Sequence, residues 1–352
     1  MKADEPKGAR SVSVQNLFLL YLLVLEVGCT RHPAEGILLV TSGGTDYVFV
    51  MDAASGHKLD SLAVDPRPGE GDEPHGITIS PTRDFWYVTV AHGEPALWKF
   101  TWPGNRRVGR LRLGLSGASR IGISPDGGTA YIPDYYRDDP TVMGRIGVVR
   151  VHDLEVIARP SVCIAPHDAQ VSTDGRRVAV ACSGGNELVF MSTSDFTVTR
   201  RVSLGTEAGN ARPMNVVWLP GDTAVVATLH QTAELVRYLL TEDRIERVRV
   251  GAGPAQLALG PDGQTVVTAN RMDGTASIVS LESMEELARV ALHVAHPHGV
   301  VLSEDGDIAF VTYEGATNEY GGVLALDILS RSVIWDVPAG AFTLGVTYVT
   351  HE

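Results

Sequence analysis

The feature that most restricts this chain is a repeat. One apolar segment ending in a turn recurs six times: PHGITISPTRD from Pro74, SRIGISPDGG from Ser119, PHDAQVSTDG from Pro166, PMNVVWLPGD from Pro213, PAQLALGPDG from Pro254 and PHGVVLSEDG from Pro297. Aligned on the turn (Pro81, Pro125, Thr173, Pro220, Pro261, Glu304), the copies are 44, 48, 47, 41 and 43 residues apart. A period of this size belongs to one supersecondary unit repeated side by side. Each turn is followed by further runs of four to seven residues rich in Val, Ile, Tyr, Phe and Thr, such as FWYVTVA, ELVFMST and TRRVSL. Short β-rich runs bounded by Asp-Gly and similar turns are antiparallel strands. Each unit therefore reads as four strands, A to D, and four strands in roughly 40–50 residues make a propeller blade.

The two ends supply one more blade. Residues 37–64 hold strands B, C and D with no A before them, and FTLGVTYV from Phe342 is an A strand with nothing after it. The expected fold is thus all-β, a seven-bladed β-propeller of four-stranded antiparallel blades over residues 37–352. One C-terminal strand (342–350) pairs with the three N-terminal strands, which removes the free sheet edges of an open array.

The segment ahead of the propeller reads as an address. Lys2, Lys7 and Arg10 precede nine unbroken apolar residues, Leu17 to Leu25. That run is too short for a membrane span, which needs about 20 residues, and it suits an export signal. Leu25-Glu26-Val27-Gly28-Cys29 resembles a bacterial lipoprotein signal, which implies removal of residues 1–28, lipidation of Cys29 as the mature N-terminus, and a short linker over 30–36. Simple secretion and an uncleaved anchor are the alternatives. The expectation is an exported, monomeric protein, periplasmic or at the cell surface, touching membrane only through the lipid. A net charge of −13 counts against a nucleic-acid partner.

The strand-B endings LLVTSGG, VVTANRMDGTASIVSL and AFVTYEG, with the repeated SPDG-like turns, resemble the YVTN repeat of YncE-like seven-bladed propellers. The resemblance runs from Gly36 to about residue 350 and implies the fold. Relatives of that architecture include sugar-phosphate lactonases and the haem d1 and nitrous-oxide reductase propellers, so activity must come from a site.

In a blade, strand A lines the channel, and the starts of A and the ends of B meet at one mouth. The first A positions read His75, Ser119, His167, Met214, Ala255, His298 and Phe342. One residue on come Gly76, Arg120, Asp168, Asn215, Gln256, Gly299 and Thr343. Strand-B ends add His92, Asp134, Ser183, His230, Asn270, Arg271 and Glu314. The candidate ligand-binding set is His75, His92, Arg120, His167, Asp168, Asn215, His230, Gln256, Arg271, His298 and Glu314, and His296 is near enough to join it. Histidine is the commonest metal ligand, so His75, His167 and His298 are candidates for copper or zinc, although no cofactor is required. The plainer alternative is that these histidines bond neighbouring backbone.

Cys163 and Cys182 flank strands A and B of one unit and are open to three fates: a disulfide, two thiols, or a metal site with His167. Three mouth segments, Val64–Glu73, Asp134–Gly144 and Glu314–Gly322, carry acids and aromatics suited to binding or to solubility. GxSxG, HExxH, P-loop and CxxCH motifs are absent. The leading expectation is a non-catalytic propeller that binds a small molecule or a protein partner at its mouth. The alternatives are a lactonase-like hydrolase using mouth histidines with Arg120, Arg212 or Arg271, and a metal-binding propeller.

Overall fold

The computed structural model describes Met1 and residues 34–135, 141–205, 210–316 and 319–350. Residues 2–33, on which the expected export signal and Cys29 fall, lie outside the described residues. Pro33–Glu352 forms one compact unit.

Seven antiparallel sheets radiate from one axis, each running from an inner strand A to an outer strand D. Inner strands of blades 1 to 6 are Pro74–Ile79, Gly122–Ile123, Pro166–Val171, Pro213–Trp218, Pro254–Leu259 and Pro297–Leu302. Blade 7 closes the ring as expected: Thr343–Val349 pairs with Ile37–Ser42, in register Ile37↔Val349 and Val40↔Val346. Tyr47–Asp52 and Lys58–Ala63 complete that sheet. Blade 2 departs from the plain pattern. Its outer edge is two pieces, Glu155–Ala158 and Ser161–Ile164, both paired to Met143–Arg150. Pro160 sits in the break and cannot donate to a ladder.

The B and C strands are buried on both faces and read as continuous apolar runs, whereas D strands alternate, as in Glu285–Ala291. Seven apolar clusters fill the seven gaps between blades; Trp86, Trp98 and Phe100 of blade 1 meet Leu39 and Val50 of blade 7 in one of them.

The strand-B threonine explains how the inner ring is sewn. In six of the seven blades the A–B ladder is irregular at the first A residues: Pro74 to Ile77, Pro166 to Asp168, Pro213 to Val216, Pro254 to Gln256, Pro297 to Val300 and Thr343 to Val346. The bulge frees a backbone N–H, which turns to a threonine hydroxyl instead: Gly76 N–H donates to Thr89 Oγ1 (2.8 Å), Asn215 to Thr228 (3.0 Å), Gly299 to Thr312 (2.8 Å) and Gly345 to Thr41 (2.7 Å). The same hydroxyl then donates to the next blade's inner strand, from Thr41 to His75 O, Thr89 to Ser119 O, Thr228 to Ala255 O and Thr312 to Leu344 O.

Blade 2 has Pro133 where the threonine would stand, and there Ser119 Oγ donates to His167 O at 2.6 Å. In blade 3, where Ala181 stands, Asp168 accepts from Val216 N at 3.1 Å. The inner strands come so close that a Cβ at Gly76 would lie 2.5 Å from Ser119 O, and one at Gly299 would come closer still to Leu344 O. The glycine of each Pro-His-Gly is thus required by close approach.

This pattern corrects one sequence expectation. Gly345, not Thr343, occupies the place of Gly76 and Gly299, so Leu344 is the first inner residue of blade 7. Phe342 stays in the loop with a left-handed backbone (φ 54°), half-exposed, its carbonyl accepting from Gly43 N.

Replacing Thr312 by Val strips one buried donor and one buried acceptor of their partner. It should lower unfolding stability by about 2 kcal/mol in urea titrations, while Thr312→Ser stays close to wild type. An unchanged midpoint for Thr312→Val would show that the bridge contributes nothing.

Candidate functional site

The first inner residues bring His75, His167 and His298 together at the mouth end of the channel, all 5–6% exposed. Their rings meet edge to face, His75 to His167 at 6.1 Å and His75 to His298 at 5.8 Å between centroids. Tyr135 packs against His75 (5.4 Å) and His167 (5.6 Å).

Glu73 organises this cluster, and sequence reasoning passed over it except as one acid of an acidic stretch. Its Oε1 accepts from His75 Nδ1 at 3.0 Å and from Tyr135 OH at 3.4 Å; its Oε2 lies 3.1 Å from His92 Nε2. The loop that carries it is pinned by Asp46, which accepts from the Asp72 and Glu73 N–H groups at 3.0 and 3.1 Å. Burial alone would raise the Glu73 carboxyl, but the hydrogen bonds from His75 and His92 outweigh it and hold the group well below its usual range. In return, the bond to Glu73 lifts His92 above its ordinary value. The signal available in the sequence was an acid two residues ahead of the Pro-His-Gly histidine.

The remaining candidates divide among three places. Asp168 is structural: its oxygens accept from Ala169 N (2.9 Å), Gln170 Nε2 (2.8 Å), Asn215 Nδ2 and Val216 N (3.1 Å). Asn215 passes the link on, its Oδ1 accepting from Leu257 N at 2.8 Å. Gln256 Nε2 donates to His298 Nδ1 at 3.4 Å. Arg120 reaches into the channel, with Nε 3.6 Å from Asp168 Oδ1.

Arg271 and Glu314 form a two-pronged ion pair (2.7 and 2.6 Å) at the wall of a mouth cleft of about 710 Å³, shared with His296, Tyr320 and Phe342. His230 is buried, with an Nδ1 that finds no hydrogen-bond partner. Of the three acidic mouth segments, residues 136–140 and 317–318 lie outside the described residues.

Histidines 167, 230 and 298 are held neutral. Burial pushes His167 down to about 3 and His230 down to about 4, and lowers His298 well below its usual value; nearby His75, Arg120, Arg212 and Arg271 add to these shifts. A ring of arginines thus faces uncharged imidazoles in a chain whose net charge is −13.

The three histidines spend Nδ1 on local partners, which is also how a metal-ligating histidine uses its second nitrogen. Nδ1 of His75 donates to Glu73 and Nδ1 of His167 donates to Met214 O at 2.7 Å, while Nδ1 of His298 faces Gln256. Among the described residues, no three His, Cys, Asp or Glu side chains are placed to hold a metal ion. Cys163 and Cys182 are joined in a disulfide, which displaces both the free-thiol and the Cys–His alternatives.

No protein-family model and no curated protein sequence matches the chain. Among solved structures it is similar to a periplasmic gluconolactonase of Pseudomonas aeruginosa, PpgL (16% identity, TM-score 0.70, covering 90% of this chain and 99% of that one). It is also similar to a putative 6-phosphogluconolactonase of Bacteroides uniformis (12%, 0.70, 90% and 100%). A third is the dihydro-haem d1 dehydrogenase NirN in complex with DHE (12%, 0.60, 89% and 75%). At these identities the likeness is one of fold.

The neutral histidines set a pH dependence. A histidine whose folded value is depressed favours the folded state above its unfolded value, near 6.5, and loses that advantage as pH falls. Stability should therefore drop between pH 6.5 and 4, because the unfolded chain takes up protons that the folded mouth refuses. Replacing His298 by Gln should remove about one proton's worth, or about 1.4 kcal/mol per pH unit, from that slope. Urea midpoints measured across this range check it, and an unaltered slope counts against buried neutral His298.

Proposed function

We propose that the protein is an exported propeller that binds a small, anion-bearing polar molecule in the mouth cleft. The observation that carries this reading is the cleft of about 710 Å³ walled by Arg271, Glu314, His296, Tyr320 and Phe342. It combines a half-exposed guanidinium, exposed aromatic faces and polar groups in a concave place, which is how small-molecule sites are commonly built. Arg212 and Arg271 both lower His230, so two guanidinium groups stand on this side of the mouth, the one in the cleft wall paired with Glu314. Export is supported by the leader and by the Cys163–Cys182 disulfide, since such bonds persist in oxidising compartments.

Hydrolysis of a lactone is a second reading, favoured by one arrangement. With Nδ1 of His75 donating to Glu73, Nε2 is left as the basic nitrogen, the geometry by which a carboxylate orients a general base. Such a base would take a proton from water as the oxygen adds to the lactone carbonyl; the ring C–O bond would then break, the leaving alkoxide taking that proton back from the imidazolium, and the new carboxylic acid would ionise to give a hydroxy-carboxylate. The periplasmic gluconolactonase and the putative 6-phosphogluconolactonase among the similar folds agree with this chemistry.

Calorimetric titration with aldonates and sugar phosphates tests the binding reading. Arg271→Gln should weaken binding at least tenfold, because it removes the guanidinium and leaves Glu314 buried without its partner. Affinity unchanged by this substitution would overturn the site. Measured in parallel, opening of aldonolactones should fall at least a hundredfold in kcat for His75→Asn. A wild-type rate no faster than the buffer would end the hydrolase reading and leave the binding reading standing.

A further inference from the structure

A second hollow, of about 480 Å³, adjoins the mouth cleft over the seam of blades 6 and 7, lined by Tyr47, Phe49, Lys58, Ser61 and Pro338. Thr45 and Tyr320 belong to both walls, so the two hollows run together as one groove. Its floor is aromatic. Tyr47 and Phe49 stand two residues apart on one strand and so share a face. Their rings are parallel to within 3°, with centroids 6.2 Å apart. Phe49 is drawn back to 7% exposure, with the Lys58 ammonium 3.7 Å above its ring, while Tyr47 is 39% exposed.

The three most exposed aromatic side chains among the described residues are Tyr320 (72%), Tyr47 and Phe342 (37%), and all three lie along this groove. Large apolar faces gathered in one concave place mark a binding site. Each hollow also carries one cation. In the first, Glu314 engages Nε and Nη2 of Arg271, and Nη1 donates to no described residue. In the second, Lys58 pairs with no described carboxylate, in a chain whose net charge is −13. Lys58 is also the accessible lysine of the propeller. Residues 37–352 hold only Lys58 and Lys99, and Lys99 is buried with Nζ donating to Val151 O at 2.8 Å. Water satisfies an ammonium or a guanidinium but not an aromatic face, so it is the aromatics that call for an occupant.

Resting on the reading of the mouth cleft as a site for an anion-bearing molecule, we propose that the groove binds a short chain of acidic sugars. One ring places its carboxylate on Arg271, and the next lies on Tyr47 beside Lys58, with Tyr320 against both. A pyranose ring has an apolar C–H face and a hydroxyl rim. The face matches the aromatic floor, and the rim matches Thr45, Ser61 and Glu314. A wholly apolar occupant would leave those polar groups and both cations facing it unpaired. The carboxylates of successive rings answer Arg271 and Lys58, one in each hollow. The volumes set the number of rings. Hollows of about 710 and 480 Å³ each lie in the range of about 300–1,000 Å³ that takes one small molecule, so together they take at least two.

The probes are galacturonate and mannuronate, each as monomer and trimer, titrated calorimetrically into the whole protein with the neutral trimer maltotriose beside them. An acidic trimer should bind at least tenfold more tightly than its own monomer and than maltotriose. Tyr47→Ala should remove that gain and leave the monomer unchanged, whereas Arg271→Gln should weaken monomer and trimer alike. Reductive methylation read by mass spectrometry needs no variant: the trimer should slow labelling of Lys58 at least tenfold, and the monomer should not. Neither trimer exceeding its monomer, a gain that survives Tyr47→Ala, maltotriose binding as tightly as the acidic trimers, or Lys58 labelled at one rate with and without saturating trimer would each overturn the proposal. With the monomers still bound, each of these results leaves the reading of the mouth cleft in place. Binding indifferent to Arg271→Gln would remove that reading and the proposal with it. Sedimentation of the protein alone reads the other occupant, since a dimer dispersed by Tyr47→Ala would give the groove to a second copy and overturn the sugar.

Discussion

The threonine near the end of strand B governs this molecule because it does two things with one hydroxyl. It accepts the N–H that the bulged inner strand can no longer give to its own sheet, and it donates to the carbonyl of the next blade's inner strand. Apolar packing between blades is large but non-directional, and sheets with greasy faces could slide. The hydroxyl bridge fixes the height at which neighbours meet. A small set of substitutes keeps that height where threonine is missing. Ser119 takes over beside Pro133, and the Asp168–Asn215 chain takes over beside Ala181. Polar residues facing a channel are easily taken for ligand contacts, yet here several of them carry the ring itself.

That constraint also explains why chemistry gathers at the mouth. Fixing the inner strands at a common level fixes the first residue of each at a common level too, and histidine occupies that position in blades 1, 3 and 6. After His75 and His298, Gly76 and Gly299 let the backbone come against the next inner strand. The histidine rings are buried together, and each satisfies one nitrogen locally. Glu73 then enters from a loop, held by Asp46 of blade 7, and sets the direction of His75 and His92. The cluster is therefore built from both kinds of element: rigid inner strands give position, and one loop acid gives orientation.

Much of this was legible from period and strand chemistry. The blade number, the closure by the last strand and the meeting of residues from distant parts of the chain all derive from a repeat of about 45 residues with one incomplete copy at each end. What escaped depends on register to within one or two residues. Blade 7 has no proline to mark the start of its inner strand, so Phe342 looked like the counterpart of His75, whereas the hydroxyl bridges place Leu344 there. Asp168 and Asn215 looked like binding groups because sequence cannot tell which donors a buried carboxylate already holds. Glu73 was hidden in an acidic stretch, and its role arises only when the loop folds back over His75. The metal expectation counted histidines at one mouth, but convergence on a point depends on geometry, and among the described residues no three His, Cys, Asp or Glu side chains are so placed.

A chain with a net charge of −13 that surrounds its mouth with Arg120, Arg212 and Arg271 is arranged against its own average. Long-range repulsion of anions by an acidic surface is screened within about 8–10 Å in ordinary salt, so what an incoming ligand meets at close range is the local set of charges. There the histidines matter by being uncharged. Had His167, His230 and His298 been protonated, the mouth would hold three more positive charges in a small volume, and it would attract any anion without discrimination. Kept neutral by burial and by the arginines, they offer directional donors and acceptors instead. The same burial that costs the folded protein stability in acid is what keeps these imidazoles uncharged at neutral pH.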